Sequence, residues 1–256
     1  MKTVFLLARH SFKELVRKKD FYVLLFLLIG LIIFFYNKTF FGTADASRYL
    51  KDIGYSLVMI CSIILCVTFT AKQIPSELES KTIYPLLAKP VSRDQLVWGK
   101  FLGGLFMSAA SFTIFFIVYL IFINLKGEGV KGILMFQAYI FSLCLFTLLS
   151  AVTVFFSMFL TLSANITLTL LLFFYFSWYN ESLRSLLLDE TLKMRLFYNL
   201  LFYALPHFEF FDMKTRLAHS WDPIPLWIFV SVIAYTLIYS TLLVISSSAL
   251  FRRKNL

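Results

Sequence analysis

Six long apolar runs dominate the chain and limit what it can fold into. They cover residues 21–36, 53–71, 99–124, 133–160, 166–179 and 225–250. A helix of about 20 apolar residues crosses the ~30 Å hydrocarbon core of a bilayer, and a chain in lipid has to pair its backbone polar groups internally. Hydrophobic residues make up 60% of the chain, against roughly 45–50% in a soluble domain. The sequence therefore predicts an all-α integral membrane protein with six transmembrane helices.

The fifth run is the shortest of the six. We expect Thr161, Ser163 and Asn165 to form a tight turn before it, because these residue types favour turns. Since a crossing needs about 20 residues, this helix either borrows turns from that stretch or stops part-way through the bilayer.

The N-terminal stretch has the pattern of an amphipathic helix. Arg9, Lys13 and Arg17 fall on one arc of a helix, and apolar residues fall on the opposite arc. Cations at lipid headgroups with apolar side chains at the acyl boundary are typical of a helix that lies on a membrane. The sequence predicts such an interfacial helix over residues 1–19, bound to membrane lipid, and no signal-peptide pattern that would remove it.

Basic residues are unevenly distributed between the polar segments. The two termini and the segment after the second run hold more than half of the 24 Lys and Arg residues and about a third of the 14 acidic residues. The positive-inside rule places such segments in the cytoplasm. We therefore expect a multi-pass protein of the inner (cytoplasmic) membrane with both termini cytoplasmic. The net charge of +10 then reflects topology, and it does not indicate binding to nucleic acid.

On the opposite side, residues 180–224 form the longest segment. Apolar residues recur there at helical spacing until Pro206, and Pro223 and Pro225 precede the last run. We expect this extracytoplasmic segment to pack on the outer membrane surface or to fold partly back into the membrane.

A polar segment, residues 72–98, separates the second and third runs. It is much longer than a connection between spans requires. Ser92-x-x-Gln95 and Ser76-x-x-Glu79 have the spacing of capping boxes, which start helices, and Pro85 lies between them as a helix breaker. The pattern predicts a short helix, a kink and a sharp return into the bilayer, with a surface suited to a soluble partner.

The residue order in the polar segment resembles that of the ABC-2 type permeases. That family has a glutamate, Gly-Thr, a leucine pair, Pro-Val-Ser-Arg, and Gly-Lys opening the third span. The matching residues here are Glu77 and Glu79, Thr82, Leu86 and Leu87, Pro90-Val91-Ser92-Arg93, and Gly99-Lys100. Lys81 departs from the family glycine. In size and layout the chain is also similar to the permeases that serve nitrous oxide reductase maturation, and the resemblance extends loosely to a single transmembrane domain over residues 1–256.

The resemblance implies a membrane subunit of an ATP-binding cassette transporter, and most relatives are exporters. It implies a homodimer that binds two copies of an ABC ATPase subunit, with a coupling helix in the polar segment as the docking element. ATP and Mg²⁺ would bind to the partner ATPase, and this chain would carry no cofactor.

The same resemblance assigns roles to individual residues. Glu77 and Glu79 would pair with basic groups of the partner, and Lys89 and Arg93 with acidic groups or lipid phosphate. The alternative is that these charges form only a solvated surface. The residues implied in ATPase docking are Pro75, Glu77, Glu79, Thr82, Leu86, Leu87, Lys89, Pro90, Ser92 and Arg93.

Motifs for chemistry are absent from these 256 residues. Gly99-Lys100 lacks the flanking glycine and hydroxyl residues of a phosphate-binding loop, and no H-E-x-x-H zinc motif occurs. His207, Glu209 and Asp212 lie close together but without a second ligand cluster. We therefore predict no metal site and no enzymatic activity, with ATP hydrolysis left to a partner.

The predicted spans are almost free of ionisable side chains. Ion-coupled carriers usually have some, because a charge at bilayer depth is costly and marks a pathway. This pattern favours a transporter powered from outside the membrane. The alternative is a freestanding secondary carrier or a membrane scaffold protein.

Small residues form one face of the third span. Gly103, Gly104, Ser108, Ala109 and Ala110 lie close together on the helix. Small residues allow helices in membranes to approach closely, so we expect this face to pack tightly against a helix of the same chain or of a second copy.

Overall fold

The computed structural model describes residues 19–37, 46–73, 92–125, 131–178 and 206–253. Every regular element in these ranges is helical, which confirms the all-α prediction for them. The elements are α1 (Lys19–Asn37), α2 (Ala46–Lys72), α3 (Arg93–Leu125), α4 (Gly132–Phe156), α5 (Leu162–Trp178), a 3₁₀ turn (Phe208–Phe211), α6 (Lys214–Ala218) and α7 (Leu226–Arg253).

Four stretches are long and apolar enough to cross a membrane. They are Lys51–Lys72, Arg93–Leu125, Gly132–Phe156 and Leu226–Arg253, with mean hydropathies of 2.2 to 2.3. The apolar stretches of α1 and α5, Phe21–Phe34 and Leu162–Ser177, are shorter and extend for about 20–25 Å at 1.5 Å per residue. Four crossing-length helices therefore lie where the sequence predicts them, and α1 and α5 fall short of the ~30 Å core.

Contacts between helix ends show how the bundle is arranged. The Tyr119 hydroxyl of α3 donates to the backbone carbonyl of Lys51 in α2 (3.0 Å), so the end of α3 meets the start of α2. At the other end of α3, Arg93 Nη1 donates to the carbonyl of Arg252 in α7 (3.0 Å). We call the end that holds Arg252 the Arg252 end, and the opposite end, where Asp222 precedes α7, the Asp222 end.

Aromatic side chains fill the centre of the bundle. The ring of Phe112 in α3 lies 5.1 Å from that of Phe146 in α4 between centroids, and Phe21 of α1 stacks on Phe115 at 5.8 Å. Large apolar side chains also cover the outside, where Phe26 is 70% and Trp227 is 72% exposed. An apolar core inside an apolar exterior is expected of a protein surrounded by lipid, because lipid tails solvate such side chains.

The small-residue face of α3 packs against α2 of the same chain. Gly103, Gly104 and Ser108 are buried, and a Cβ atom added to Gly104 would lie 2.5 Å from Thr70 Oγ1. The prediction of close packing is thus confirmed at Gly104, where the partner helix is α2. Ala109 and Ala110 are half-buried.

The turn between α4 and α5 lies earlier than predicted. It covers residues 157–161, so the prediction was wrong for Ser163 and Asn165, which are helical. Asn165 is fully buried; its Nδ2 donates to the Thr153 carbonyl (3.1 Å) and its Oδ1 accepts from the Thr169 hydroxyl (3.2 Å). The bond to Thr153 attaches the start of α5 to the end of α4, and the two bonds together satisfy an amide that otherwise favours a turn.

Residues 206–218, which we call the return segment, fold back against the bundle. Phe208, Phe211 and Leu217 are at most 2% exposed and belong to the same apolar core as α2, α4 and α5. Residues 180–205 lie outside the described residues, and the expectation that residues 180–224 pack on the outer membrane surface or fold partly back into the membrane stays a prediction. The carbonyl of Pro225 accepts from the backbone N–H of Phe229 (3.1 Å), which confirms that α7 starts directly after this proline.

The predicted interfacial helix lies almost entirely outside the described residues. The basic residues assigned to its lipid-facing arc, Arg9, Lys13 and Arg17, belong to residues 1–18, and the description begins at Lys19.

Candidate functional site

The start of α3 is fixed by a reciprocal pair of hydrogen bonds. The backbone N–H of Gln95 donates to Ser92 Oγ (3.3 Å), and the backbone N–H of Ser92 donates to Gln95 Oε1 (3.2 Å). This is the capping box predicted from the Ser92-x-x-Gln95 spacing, and it is confirmed. Because it satisfies two backbone donors that the helix leaves unpaired, it ends the polar segment at a defined residue.

Arg93, the next residue, binds the end of α7. Its Nη1 donates to the carbonyls of Phe251 (3.4 Å) and Arg252 (3.0 Å). The last carbonyls of a helix have no partner within the helix and carry the negative end of its dipole. The guanidinium that the resemblance assigned to partner docking therefore also caps the C-terminus of α7.

Asp94 completes the contact between these two helices. Its Oδ1 accepts from Arg252 Nε (2.7 Å) and from the Ser248 hydroxyl, and Arg252 Nη2 pairs with its Oδ2. A carboxylate in the first turn of α3 and an arginine in the last turn of α7 each also suit the dipole of their own helix. We call these interactions, with those of Arg93, the α3–α7 contact.

Asp94, Ser248 and Arg252 were not among the predicted site residues. The sequence could have indicated a role at helix ends for two of them, because Asp94 is an acidic residue in a first turn and Arg252 is a basic residue in a last turn. The sequence could not have indicated that they contact one another, because Asp94 and Ser248 are 154 residues apart.

The other end of the polar segment is held by Gln73. This residue is 8% exposed. In the amide orientation that satisfies both of its polar groups, Nε2 donates to the Lys100 carbonyl (2.8 Å) and Oε1 accepts from the Gly104 N–H (3.0 Å). Both of these partners are backbone groups of α3, so the residue that follows α2 is bonded to α3. Gln73 was likewise not predicted as a site residue.

Gly99 and Lys100 lie inside α3 and not at its start. The helix begins at Arg93, so these two residues occupy its second turn, and both are buried. The third crossing helix therefore extends about 9 Å further toward the polar segment than the predicted span that starts at residue 99. Lys100 is 8% exposed, so it lies in a packed helix and not in an open loop.

Eight predicted docking residues lie outside the described residues. The structure describes residues up to Gln73 and again from Ser92, so it contains the two ends of the polar segment. The eight residues are Pro75, Glu77, Glu79, Thr82, Leu86, Leu87, Lys89 and Pro90. Of the predicted docking set, Ser92 and Arg93 are described, and both bind helix termini.

The Asp222 end has its own polar contacts. Lys131 Nζ donates to Asp222 Oδ1 (2.7 Å), and this hydrogen bond, together with the positive charge, lowers the pKa of the Asp222 carboxyl. The Gln137 side chain binds both backbone groups of Ile224, donating to its carbonyl (2.8 Å) and accepting from its N–H (2.9 Å). These bonds fix the loop that leads into α7 on the start of α4.

The possible metal ligands near this end do not converge. The N–H of His207 donates to the Tyr235 hydroxyl (3.1 Å), and its ring stacks on Phe210. Asp212 Oδ1 accepts from the backbone N–H of Lys214 (2.9 Å). Within the five described ranges, no group of three His, Cys, Asp or Glu residues is placed to hold a metal ion.

Comparison with known proteins agrees with this architecture. The pattern of one family, described as ABC-2 family transporter protein, matches residues 5–256. A comparison with curated proteins finds no match. The family match covers nearly the whole chain and includes the polar segment, the four crossing-length helices and the return segment. With its apolar exterior and bundle of membrane-length helices, the chain belongs to the ABC-2 family of transporter proteins, as a multi-pass membrane component of transport.

Proposed function

We propose that this chain is the permease subunit of an ATP-powered exporter and that its polar segment docks on a separate ABC ATPase, which binds ATP and Mg²⁺. The observation that carries this proposal is that both ends of residues 74–91 are bonded to membrane helices. Gln73 binds the backbone of α3, and Ser92 to Asp94 cap α3 and bind α7. Family membership supports the same assignment.

Such an arrangement suits the transmission of force. A segment that is rigidly connected at both ends passes a displacement to the helices that hold it, whereas a loosely attached loop absorbs it. Closure of an ATPase dimer would shift the docked segment and, through Gln73 and the α3–α7 contact, move α2, α3 and α7 together. Rigid-body movement of packed helices around a pathway is an established form of coupled conformational change.

The proposal includes a topology. All six apolar helices cross the membrane, with α1 and α5 extended by flanking residues, and both termini and the polar segment face the cytoplasm. The basic bias of these segments supports this orientation, as does the placement of the polar segment and the C-terminus of α7 at the same Arg252 end. Two copies of the chain then form the transport pathway with two ATPase subunits, in the cytoplasmic membrane.

Purification of the chain from its native membrane in a mild detergent tests the docking. We expect an ABC ATPase to co-purify in a 1:1 ratio with the chain. Reversing two charges, with Glu77→Lys and Glu79→Lys together, is expected to lower the recovered ATPase at least several-fold, because these carboxylates would then repel the basic groups that they pair with.

Asp222→Lys is the matched control. It reverses one charge at the Asp222 end, where the side chain is 93% exposed, and we expect unchanged ATPase recovery. If the unaltered chain purifies without any ATPase, or if both charge reversals leave recovery unchanged, docking through these residues is wrong.

A further inference from the structure

A cavity of about 250 Å³ opens near the Asp222 end, away from the polar segment. It lies between the first half of α2, the last turns of α5 and the return segment. Tyr55 and Met59 line it from α2, Phe173 from α5, and Phe208 and Phe211 from the return segment. Since these residues come from elements far apart in the sequence, the cavity exists only because the return segment folds back.

Aromatic rings from three elements form part of its wall. Tyr55, Phe208 and Phe211 are at most 2% exposed and are held in place by the core. The Tyr55 hydroxyl is bonded to Ser142 Oγ (2.9 Å), and the Phe208 ring meets that of Phe173 edge to face at 5.4 Å. Phe173 and Phe174 are less buried, and aromatic rings attract both the apolar and the cationic groups of a ligand.

Charged side chains of the return segment lie at the cavity, and their balance is negative. Glu209, Asp212 and Lys214 belong to the lining. Lys214 Nζ lies 3.5 Å from Asp52 Oδ1, so the Asp52 carboxylate offsets its positive charge. The negative charges of Glu209 and Asp212 are then not balanced by Lys214. These four side chains together are therefore net negative, in a chain whose net charge is +10.

We propose that this cavity binds a small organic cation with an apolar or aromatic body. The body would lie among the rings, where a cation is attracted to their faces, and the positive group would lie near Glu209 and Asp212. The volume is just below the roughly 300–1,000 Å³ of sites for drug-sized ligands, so it fits a molecule built around one ring. An anion would meet the carboxylates, and a bare metal ion would gain nothing from the apolar wall.

This site is independent of the proposed docking, because it lies at the other end of the bundle and its occupancy requires no ATPase. Direct binding to the purified full-length chain therefore tests it, whatever the result for the polar segment. The probe is benzyltrimethylammonium, and binding is measured by isothermal titration calorimetry to the chain in nanodiscs of zwitterionic lipid, with empty nanodiscs as the blank. We expect saturable binding of this cation and none of benzenesulfonate, its anionic counterpart.

Two sets of variants separate the contributions of charge and ring. Glu209→Gln with Asp212→Asn is expected to weaken binding at least tenfold, and the amide oxygen of Asn can still accept from the Lys214 N–H. Phe173→Leu, which removes one ring but keeps apolar volume, is expected to weaken binding several-fold. Asp222→Asn removes a carboxylate at the same end but outside the cavity, and it should bind the cation as the unaltered chain does.

Three outcomes would overturn the proposal. The first is the absence of saturable binding by the unaltered chain. The second is equal affinity in Glu209→Gln/Asp212→Asn and Asp222→Asn, which would show that the charge at the cavity has no role. The third is equally tight binding of neutral benzyl alcohol, which would show an apolar cavity suited to lipid chains and not to cations.

Discussion

At the residue scale, a close approach between α2 and α3 depends on the missing side chain of Gly104. A Cβ atom there would lie 2.5 Å from Thr70 Oγ1, 3.1 Å from Thr70 Cγ2 and 3.3 Å from Thr70 Cβ. Rotation of the threonine side chain cannot relieve all three contacts, since Cβ does not move with χ1. We expect Gly104→Ala to lower the free energy of unfolding by about 1–3 kcal/mol, the usual cost of overpacking, measured as a lower thermal unfolding midpoint in detergent.

Gly30→Ala is the matched control for this substitution. Gly30 is also inside a helix, but nothing lies within 4 Å of an added Cβ. Alanine favours a helix over glycine by about 1 kcal/mol, so this variant should be as stable as the unaltered chain or more so. Thr70→Ala should restore most of the stability lost in Gly104→Ala, because it removes the two shorter contacts and keeps only the one with Cβ. If Gly30→Ala and Gly104→Ala have the same midpoint, the close packing of α2 and α3 is not as described.

Single residues differed in how far the sequence could predict them. The capping box of Ser92 and Gln95 was predictable because both partners lie within one turn. Gln73, Asp94 and Ser248 were not, because their bonding partners belong to other helices. Local spacing therefore defined where α3 starts, and tertiary contacts decided what its start is attached to.

At the scale of elements, the α3–α7 contact joins the start of one crossing helix to the end of another. Asp94→Asn removes one charge from it while keeping the size of the side chain, and Arg252→Gln removes the opposite charge and shortens the side chain. We expect either substitution to speed amide hydrogen exchange in residues 248–253, because the last turn of α7 loses its attachment to α3. The double variant should exchange little faster than the single ones, because the two residues act on the same interaction.

Arg253→Gln is the control for the loss of a positive charge at this helix end. It neighbours Arg252 in the last turn of α7 but is not part of the α3–α7 contact. Exchange in residues 248–253 should stay within error of the unaltered chain. Equal acceleration by Arg253→Gln, or strictly additive effects of Asp94→Asn and Arg252→Gln, would contradict a specific pairing.

The helices themselves were largely predictable, and the turn between α4 and α5 was not. Long apolar runs set the positions of the crossing helices because burial in lipid requires internally bonded backbone. Asn165 was predicted as a turn residue from its type, but a bond to the Thr153 carbonyl keeps it in α5. Residue preference alone gave the wrong result where a buried polar side chain found a partner in the neighbouring helix.

At the scale of the whole molecule, the two ends of the bundle differ in character. The Arg252 end holds helix termini tied together by charged and amide side chains, whereas the Asp222 end holds an aromatic cavity with two carboxylates. The family resemblance predicted a function at the first end from its motif. Nothing in the sequence indicated the cavity, because its walls come from α2, α5 and the return segment, whose fold has no local signature.

Docking of the polar segment on an ATPase is tested directly by site-specific photo-crosslinking in intact cells. A photoreactive amino acid at Thr82, within the polar segment, is compared with one at Trp221, at the Asp222 end. If the polar segment docks on an ATPase, we expect the probe at Thr82 to crosslink to an ABC ATPase subunit and the probe at Trp221 not to do so. Crosslinks from Thr82 to lipid alone, or to an extracytoplasmic protein, would contradict it.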